Sequence, residues 1–525
     1  MRKLRRRRKR LAVLAAGTVL TPVGSALASL LGNQLFPANN PWNQIITNAP
    51  VATNSAAIIA NIGTSALVTP GWGVDNPANG ASALYGIPYN VVHGNSTAKV
   101  NVVIDNYPDE SDLIPVPIPA NAVLEGDFQN GPNPGVGNRG DSHLIVWDED
   151  NNVGYELWYA SRPSENSDGK WHAAIESFWG FGTNSFRPLG WMSGDGAGLP
   201  ILPGLARPDE ALPVAQGGQG VINHAVRVTL PNRVIDSRYI YPASHKGSST
   251  AVSTNTIPLG SRLRLKNTPA VNNSISLMGS QSQVLARAMQ QYGLIVADTG
   301  GLAAAINVSG APGSVNASNN LSATWDMTDV MKLKGLTAND FEVLNLAPMV
   351  TSLSATQGWP GSNLNITGQN FSGAAGRLSV FFGTNAASSV NMLSDTQISV
   401  TVPSGSGTVD VTVQSGVKQT SAGNVTAPIF GYGTSALTAA DKFTFTAPPP
   451  TIQHVTLNAG NFVMSGTNNS GLGGTYHVLT STDLSVQRTN WTILTSGSFD
   501  GSGNFSFTNP VGSTSARHFY TLQVP

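Results

Sequence analysis

The chain of 525 residues contains no cysteine. Its absence excludes disulfide bonds, thiol nucleophiles and thiolate metal ligands. Charged residues are also scarce, at 11% of the sequence, and long helical heptads are missing. Glycine and proline are abundant instead, with 56 and 33 residues. Short strands joined by turns are typical of such a composition, so we expect a mainly β protein of several domains.

Basic residues are concentrated at the start of the chain. Eight of the first ten residues are arginine or lysine, an apolar run at 11–20 follows, and Ala26-Leu27-Ala28 supplies small residues. This order predicts a secretory signal peptide at residues 1–28, and therefore a secreted, extracellular protein. The apolar run is too short to span a bilayer and no later run is longer, so we expect no membrane span.

Without residues 1–28 the charge balance changes. The 29 basic residues fall to 21 against 29 acidic ones, which gives a net charge of −8. An acidic surface argues against nucleic acid as a partner, and no second basic cluster supports a nucleic-acid-binding arm. We expect the secreted chain to be a monomer.

Residues 29–346 predict one β-rich domain, a β-sandwich or jelly-roll-like fold with a few helices and an extended N-terminal wrap. Two apolar runs, at 143–147 and 154–159, flank the acidic and Asn-rich segment 148–152, which indicates a hairpin. Helices are predicted near 55–62 and at 281–292, where apolar residues recur at helical spacing and Gly293 follows.

From residue 347 short strands alternate with glycine and proline at regular intervals, a spacing that predicts a sandwich. Gly358, the sequence Gly368-x-Asn370-Phe371, the pair Phe382-Gly383 and the pair Val402-Pro403 mark this part. Together they resemble the IPT/TIG family of immunoglobulin-like domains over residues 347–447. The resemblance implies a seven-stranded sandwich of the kind used as a spacer or binding module in surface and secreted proteins.

A proline-rich linker, Ala447–Pro450, separates this part from residues 451–525. Four short apolar segments there predict a small C-terminal β-module. This module resembles a β-rich unit of secreted bacterial proteins.

Motifs rich in Trp, Pro, Gly and His are spread over residues 34–345. They are Asn40–Gln44, Asp141-x-His143, Tyr155–Leu157, Arg187–Trp191, Gly198–Gly204, His224–Arg227, Tyr241–His245, Arg262–Lys266 and Tyr292–Asp298. Together they resemble an uncharacterised family of exported soil-bacterial proteins. The resemblance supports export and a single N-terminal domain, and it implies no activity.

The first candidate site is the predicted hairpin. Asp141 and His143 are two residues apart at the start of a strand, so their side chains face the same side. Glu156 lies on the partner strand, and a carboxyl group among Tyr and Trp residues has a raised pKa, as a general acid requires. The alternative is that Glu156 lies on a solvated face of the sheet.

The second candidate site is the loop region 187–210. Asp195 is flanked by glycines that would let a ligand approach, which suggests a base or nucleophile. Arg187, Arg207 and Arg227 are candidate substrate-binding cations. The alternative is an internal brace, of which Arg207 with Glu210 is the clearest example.

Histidines give a third possibility. His143, His224 and His245 are candidate ligands of a divalent metal, although none of their spacings is diagnostic. A histidine in a core, bonded to the backbone, is the ordinary alternative for His224. No other cofactor is indicated. Asp298 ends an apolar strand at Asp-Thr-Gly, but only one copy of this triplet is present, and we expect it in a turn or at the rim of a cleft.

The leading hypothesis is a secreted carbohydrate-active enzyme acting on an extracellular polysaccharide. As a glycoside hydrolase it would use Glu156 as acid and Asp141 or Asp195 as base or nucleophile; as a lyase it would use His143 or His224 as base. Trp158, Trp179 and Trp191 would stack on sugar rings. The alternatives are a non-catalytic glycan-binding or adhesion protein and a metal-dependent enzyme built on the histidines.

Overall fold

The structure is a computed structural model that describes most of the chain after the predicted signal peptide, which itself lies outside the described residues. The described residues are 29–74, 84–127, 139–300, 305–372, 374, 377–418, 421–422, 425–426, 429–469, 474–511 and 517–524.

The part of the chain before residue 347 contains strands β1–β20 and helices α1–α5. The strands are β1 (Ser29–Leu30), β2 (Asn33–Gln34), β3 (Leu67–Pro70), β4 (Gly73–Val74), β5 (Leu84–Tyr85), β6 (Tyr89–Val92), β7 (Val103–Ile104), β8 (Leu144–Asp148), β9 (Val153–Trp158), β10 (His172–Ala173), β11 (Ile175–Gly180), β12 (Val226–Leu230), β13 (Ile235–Tyr239), β14 (Ile257–Leu259), β15 (Arg262–Leu265), β16 (Leu294–Thr299), β17 (Ala305–Val308), β18 (Gly313–Val315), β19 (Leu321–Thr324) and β20 (Phe341–Val343). The helices are α1 (Ser55–Ile62), α2 (Pro208–Ala211), α3 (Pro269–Ser276), α4 (Ser280–Gln291) and α5 (Met327–Val330).

A six-stranded sheet in the order β20-β15-β16-β12-β17-β3 forms the centre of this region. Strand β12 pairs parallel with β16, and β17 pairs parallel with β3, whereas the other pairs are antiparallel. Helix α4 connects β15 to β16 and buries Leu285 and Met289 in the same core as Val228 and Val296. Apolar residues dominate β12 and β16, as buried strands require, and Arg227 and Asp298 are the charged exceptions.

A four-stranded sheet in the order β11-β9-β8-β6 lies against this core. The β8–β9 hairpin predicted from the sequence is confirmed, with Ile145 opposite Glu156. Alternate residues of β8 enter two different hydrophobic cores, because Ile145 and Trp147 join the main core and Leu144 and Val146 join a second one. Both faces of the hairpin are therefore buried, and neither is the solvated face considered for Glu156.

The following region contains strands β21–β32. They are β21 (Met349–Leu353), β22 (Gln357–Gly358), β23 (Asn363–Gln369), β24 (Leu378–Phe382), β25 (Asn385–Ala386), β26 (Val390–Ser394), β27 (Gln397–Thr401), β28 (Thr408–Lys418), β29 (Ser421–Ala422), β30 (Val425–Thr426), β31 (Ile429–Thr434) and β32 (Lys442–Phe445). Two sheets, β21-β23-β27-β26 and β22-β32-β28-β24-β25 with β31 beside β28, enclose a core that includes Ile366, Phe382 and Val411.

The C-terminal strands are β33 (Thr451–Asn458), β34 (Asn461–Thr467), β35 (Thr475–Ser481), β36 (Thr492–Ser498), β37 (Asn504–Pro510) and β38 (Phe519–Gln523). They form two three-stranded sheets, β33-β34-β37 and β36-β35-β38, around Met464, Tyr476 and Val478. The protein is thus mainly β, as predicted. The region before residue 347 also contains parallel strand pairs and helices. In the described part of the chain, none of the helices has the length and apolarity needed to cross a bilayer.

Candidate functional site

The central polar cluster surrounds the turn Gly194-Asp195-Gly196. His143 Nε2 lies 2.9 Å from the carbonyl oxygen of Gly194, and His245 Nδ1 lies 3.0 Å from that of Gly196. Both imidazoles therefore hold the backbone on either side of Asp195. A Cβ at position 196 would lie 2.4 Å from Asp298 Oδ1, so any other residue there would displace the Asp298 carboxylate. The turn is a tightly packed junction between the two sheets.

Asp195 forms a two-pronged ion pair with Arg227 in the interior. Arg227 Nε and Nη2 donate to the two carboxylate oxygens at 2.8 and 2.7 Å, and Nη1 donates to Ser309 Oγ at 2.6 Å. Asp298 approaches the same guanidinium, with Oδ2 3.6 Å from Arg227 Nη2. One buried cation is thus shared by two carboxyl groups, of which only Asp298 is partly exposed, at 27% of its side chain.

This arrangement shifts the ionisation of Asp195. Burial raises its pKa to about 7, and although Arg227 opposes the shift, the neighbouring charge of Asp298 adds to it. Desolvation acts against the charge of Arg227 as well, yet Asp195 and Asp298 hold the pKa of the guanidinium above its usual value. The cluster can therefore hold a proton near neutral pH beside a cation.

His143 is buried against Glu125, an acidic residue that was not among the predicted site residues. Its Nδ1 contacts Glu125 Oε2 while Nε2 faces the Gly194 carbonyl, so both ring nitrogens face acceptors. Burial lowers the pKa of His143, but the charge and hydrogen bond of Glu125 outweigh burial and raise it to about 9. His143 is therefore an imidazolium that holds Glu125 and Gly194 together.

Glu156 lies wholly inside the protein and its oxygens are fully engaged. They accept hydrogen bonds from the backbone N–H groups of Ile201 and Leu202 at 2.9 Å and from Trp179 Nε1 at 3.1 Å. Burial raises its pKa, and the two backbone hydrogen bonds oppose that shift. The expected raised pKa is thus present, but the carboxyl group fixes the start of the 202–204 turn.

His224 belongs to a separate buried group. Its Nε2 lies 3.2 Å from Glu210 Oε2, and Arg207 Nη2 lies 2.8 Å from Glu210 Oε1. Nδ1 of the histidine faces the Ala225 carbonyl oxygen at 2.8 Å. The pairing of Arg207 with Glu210 matches the brace considered from the sequence.

The predicted aromatic and cationic binding residues are divided between interior and surface. Arg187 is buried, contacts Asp112, and lies 5.0 Å from the ring of half-buried Trp191 and 6.0 Å from that of Trp179. Trp179 is buried beside Glu156. Trp158 alone among these tryptophans belongs to an accessible aromatic group.

That accessible group, called here the aromatic surface, consists of Tyr107, Trp158 and Tyr159 with Asp141. Tyr107 and Tyr159 are 39% and 44% exposed, and their ring centroids lie 6.4 and 6.1 Å from that of Trp158. The indole N–H of Trp158 donates to Asp141 Oδ1 at 3.3 Å. Tyr107 and Tyr159 were not predicted as site residues, although Tyr159 follows Trp158 directly in the sequence.

The backbone beneath the aromatic surface is strained. Tyr159 has a φ of 55° and Ser142 a φ of 47°, values that side-chain-bearing residues rarely adopt. The Tyr159 N–H donates to the Asp141 carbonyl at 2.9 Å, so the two strained segments are paired. Strain of this kind is concentrated at functional sites, where surrounding contacts hold a side chain in a required position.

The predicted catalytic residues do not meet in one accessible cleft. His143 and Asp195 meet at the Gly194–Gly196 turn with Glu156 beneath it, Asp141 lies at the surface, and His224 lies in another cluster. Among the described residues, no group of three or more histidine, aspartate or glutamate side chains is arranged to hold a metal ion. Catalytic and metal-binding roles for these residues stay predictions.

Comparison with solved structures found matches that include the following three proteins of low identity. An auxiliary nutrient binding protein from Bacteroides ovatus is 18% identical, with a TM-score of 0.15 over 25% of this chain and 30% of that one. The gamma-CGTase of Alkalophilic bacillus clarkii is 12% identical, with a TM-score of 0.15 over 40% of this chain and 28% of that one. A third structure is SGBP-B of the Bacteroides ovatus mixed-linkage glucan utilization locus, in complex with a mixed-linkage heptasaccharide. It is 13% identical, with a TM-score of 0.14 over 35% of this chain and 52% of that one.

This chain therefore spans about half or less of each of those proteins, and TM-scores this low support no conclusion about the fold or activity. A search of curated proteins found no match. A family model described as the IPT/TIG domain matches residues 348–428, within the range expected from the sequence motifs. Residues 348–428 are an IPT/TIG domain.

Proposed function

We propose that this protein binds an extracellular glycan on the aromatic surface of Tyr107, Trp158 and Tyr159. The supporting observation is that the exposed rings of Tyr107 and Tyr159 flank the half-buried ring of Trp158 at 6.4 and 6.1 Å, tilted from it by 34° and 56°. Pyranose rings carry apolar C–H faces and polar edges, and Tyr and Trp offer an apolar ring with a polar group. Adjacent rings at this spacing suit consecutive sugar units of a chain.

A carboxylate at the edge of the aromatic surface adds the polar contacts that a sugar requires. Asp141 is exposed, and one of its oxygens accepts a hydrogen bond from the Trp158 indole, which fixes the orientation of that ring. Its other oxygen remains an acceptor for sugar hydroxyl groups. Fixed rings and a fixed acceptor reduce the entropy lost on binding.

Binding is favoured over catalysis because the predicted catalytic groups are committed to internal contacts. Glu156 accepts three N–H groups, Asp195 is paired with Arg227, and His143 is paired with Glu125. A general acid or base must reach the reacting proton within hydrogen-bond distance. These three side chains lack that access because each is buried and its polar atoms already bond to internal partners.

The remaining parts of the chain support an extracellular setting for this function. The basic and apolar start has the order of a signal peptide, and the absence of cysteine does not oppose export, since the hydrophobic cores alone hold the fold. In this proposal the IPT/TIG domain and the C-terminal module are spacers that present the first domain to a polysaccharide.

The test is binding of the secreted protein to a panel of insoluble and soluble polysaccharides, measured by co-sedimentation and affinity electrophoresis. Trp158→Ala removes the central ring and should weaken binding about tenfold or more, a loss comparable to that of a buried interface tryptophan. Trp359→Ala is the matched control, because Trp359 is 38% exposed and belongs to the IPT/TIG domain.

Equal weakening by both substitutions would indicate nonspecific adsorption through exposed tryptophans. Retention of full affinity by Trp158→Ala would contradict the aromatic surface as the binding site. Tyr159→Ala should produce an intermediate loss, since one outer ring is removed and the central ring remains.

A second candidate, hydrolysis of the bound glycan, rests on Asp298. Of the two carboxyl groups that share Arg227, it is the partly exposed one, with 27% of its side chain accessible. In this candidate Asp298 would act as the general base that takes a proton from the attacking water.

This candidate predicts that the protein releases reducing ends from a polysaccharide of the panel. Asp298→Asn should lower the rate by at least about a hundredfold while binding to the aromatic surface is retained. An unchanged rate in Asp298→Asn, or no release by the unsubstituted protein, would contradict hydrolysis at this position without affecting the binding proposal.

A further inference from the structure

A concave site lies where the first domain meets strand β31 of the following region. It is a cavity of about 670 Å³, lined on one side by Tyr239, Tyr241 and Arg262 and on the other by Tyr432, with the connecting segment 344–347 between them. Its volume is within the range of small-molecule sites, which often form between domains. None of the residues of the aromatic surface lines it.

Arg262 differs from the other buried arginines of the protein. Within the described chain, five arginines are less than 5% exposed. Four of them form ion pairs: Arg139 with Glu165, Arg187 with Asp112, Arg207 with Glu210 and Arg227 with Asp195. For Arg262, no aspartate or glutamate of the described residues lies within ion-pair distance.

The guanidinium of Arg262 has only neutral partners. Nη1 and Nη2 each donate to a backbone carbonyl, of Tyr292 and Pro41, at 2.5 Å, and the side chain also bonds to Tyr432. Its Nε has no hydrogen-bond partner. A buried charge without a counter-ion and a buried donor without an acceptor are both costly. Desolvation accordingly lowers the pKa of Arg262.

We propose that this interdomain cavity binds a carboxylate-bearing sugar, a uronic acid, whose carboxylate accepts from Arg262. The carboxylate supplies both the negative charge and the acceptor that Arg262 lacks. Arginine suits this role because its Nε–H, which lacks an acceptor, can donate a charge-assisted hydrogen bond to a carboxylate oxygen.

The walls of the cavity account for the sugar part of this assignment. Three tyrosines line it, and the Tyr241 and Tyr432 rings meet edge to face at 4.9 Å. Tyrosine combines an apolar face with a hydroxyl group, which suits the C–H face and hydroxyl edge of a pyranose. A small inorganic anion would satisfy Arg262 but would leave these walls without contact.

The test uses isothermal titration calorimetry of the full chain with glucuronic acid, with its methyl ester as the neutral match, and with inorganic phosphate. The substitution is Ile240→Glu, because Ile240 lines the cavity at its solvent side and is 44% exposed. The introduced carboxylate should weaken glucuronic acid binding about tenfold by repulsion. Ile240→Gln, of the same size without the charge, should stay within about threefold of the unsubstituted protein.

Thermal unfolding of both variants checks that the fold is retained. Binding of glucuronic acid, absence of binding by the ester, and a difference between Ile240→Glu and Ile240→Gln would support the proposal. No binding of glucuronic acid, equal binding of acid and ester, or equal affinities of the two variants would overturn it. Phosphate that binds as tightly as glucuronic acid would overturn the sugar assignment. Trp158→Ala should leave this binding unchanged, which separates the site from the aromatic surface.

Discussion

At the scale of single residues, His143 connects charge, burial and backbone shape. Its ring is 3% exposed and lies between the Glu125 carboxylate and the Gly194 carbonyl. The imidazolium form can donate to both, whereas the neutral form can donate to only one. The proton on His143 therefore contributes to the stability of the central cluster.

This role predicts a pH dependence of stability. The pKa of His143 is raised to about 9 in the folded protein from 6.5. The folded state then binds more protons than the unfolded state between these values, so the stabilisation is complete below about pH 6.5 and is lost as the pH rises through 9. The shift corresponds to at most about 3 kcal/mol. Urea unfolding of His143→Gln between pH 6 and 9.5 should lack this decline.

Glu125→Gln provides the matching control, because it removes the charge that raises the pKa and leaves the imidazole in place. It should abolish most of the same decline. Parallel stability curves for the unsubstituted protein and both variants would contradict a protonated His143 at neutral pH. Exposed histidines such as His93 titrate in all three proteins and cancel in the comparison.

Residue types in the central cluster were predictable, but their partners were not. Sequence reasoning identified Asp195 in a glycine-rich loop and Arg227 as a candidate substrate-binding cation, and it expected the raised pKa of Glu156. It did not predict that Asp195 would face Arg227, 32 residues away, or that Ile201 would donate to Glu156, because these contacts depend on how distant segments pack. A polar residue in an apolar strand indicates an unusual environment, and only the fold distinguishes a brace from a catalytic group.

At the scale of elements, local patterns were reliable. Helix α4 was predicted at 281–292 and occupies Ser280–Gln291, and α1 occupies Ser55–Ile62 as expected. The β8–β9 hairpin followed from two apolar runs about an acidic turn. Each of these elements is fixed by residues close together in the sequence, through helical spacing or turn residues.

Pairings between distant elements could not be predicted in the same way. Strand β12 pairs parallel with β16, and β17 pairs parallel with β3, which is more than 200 residues away. The burial of both faces of β8 could not be predicted either, since its apolar residues 144–147 fit a strand of any central sheet. Glu156 lies in the interior because the second face of the hairpin is also buried. Only the packing of the two sheets determines that burial.

At the scale of the whole molecule, specific polar contacts connect the first domain and the IPT/TIG domain. Asn370 Nδ2 donates to the carbonyl oxygens of Asn345 and Ala347 at 3.1 and 3.0 Å. The Tyr432 hydroxyl donates to Gln44 Oε1 at 3.0 Å, and its ring packs on Tyr241. The boundary at 346/347 predicted from composition stays a prediction, but these contacts indicate that the segment around it is held rather than free.

Tyr432 should therefore couple the unfolding of the two domains. Tyr432→Phe retains the ring and loses the hydroxyl bonds to Gln44 and Arg262, which should cost about 1–2 kcal/mol. Tyr432→Ala also removes the packing on Tyr241 and should cost about 3–5 kcal/mol at the interface. Differential scanning calorimetry should show one transition for the two domains of the unsubstituted protein and two separate transitions for Tyr432→Ala. Tyr432→Phe should show one broadened transition at a lower temperature. One unshifted transition in both variants would contradict the coupling, because removal of an essential interface contact must allow the domains to unfold separately.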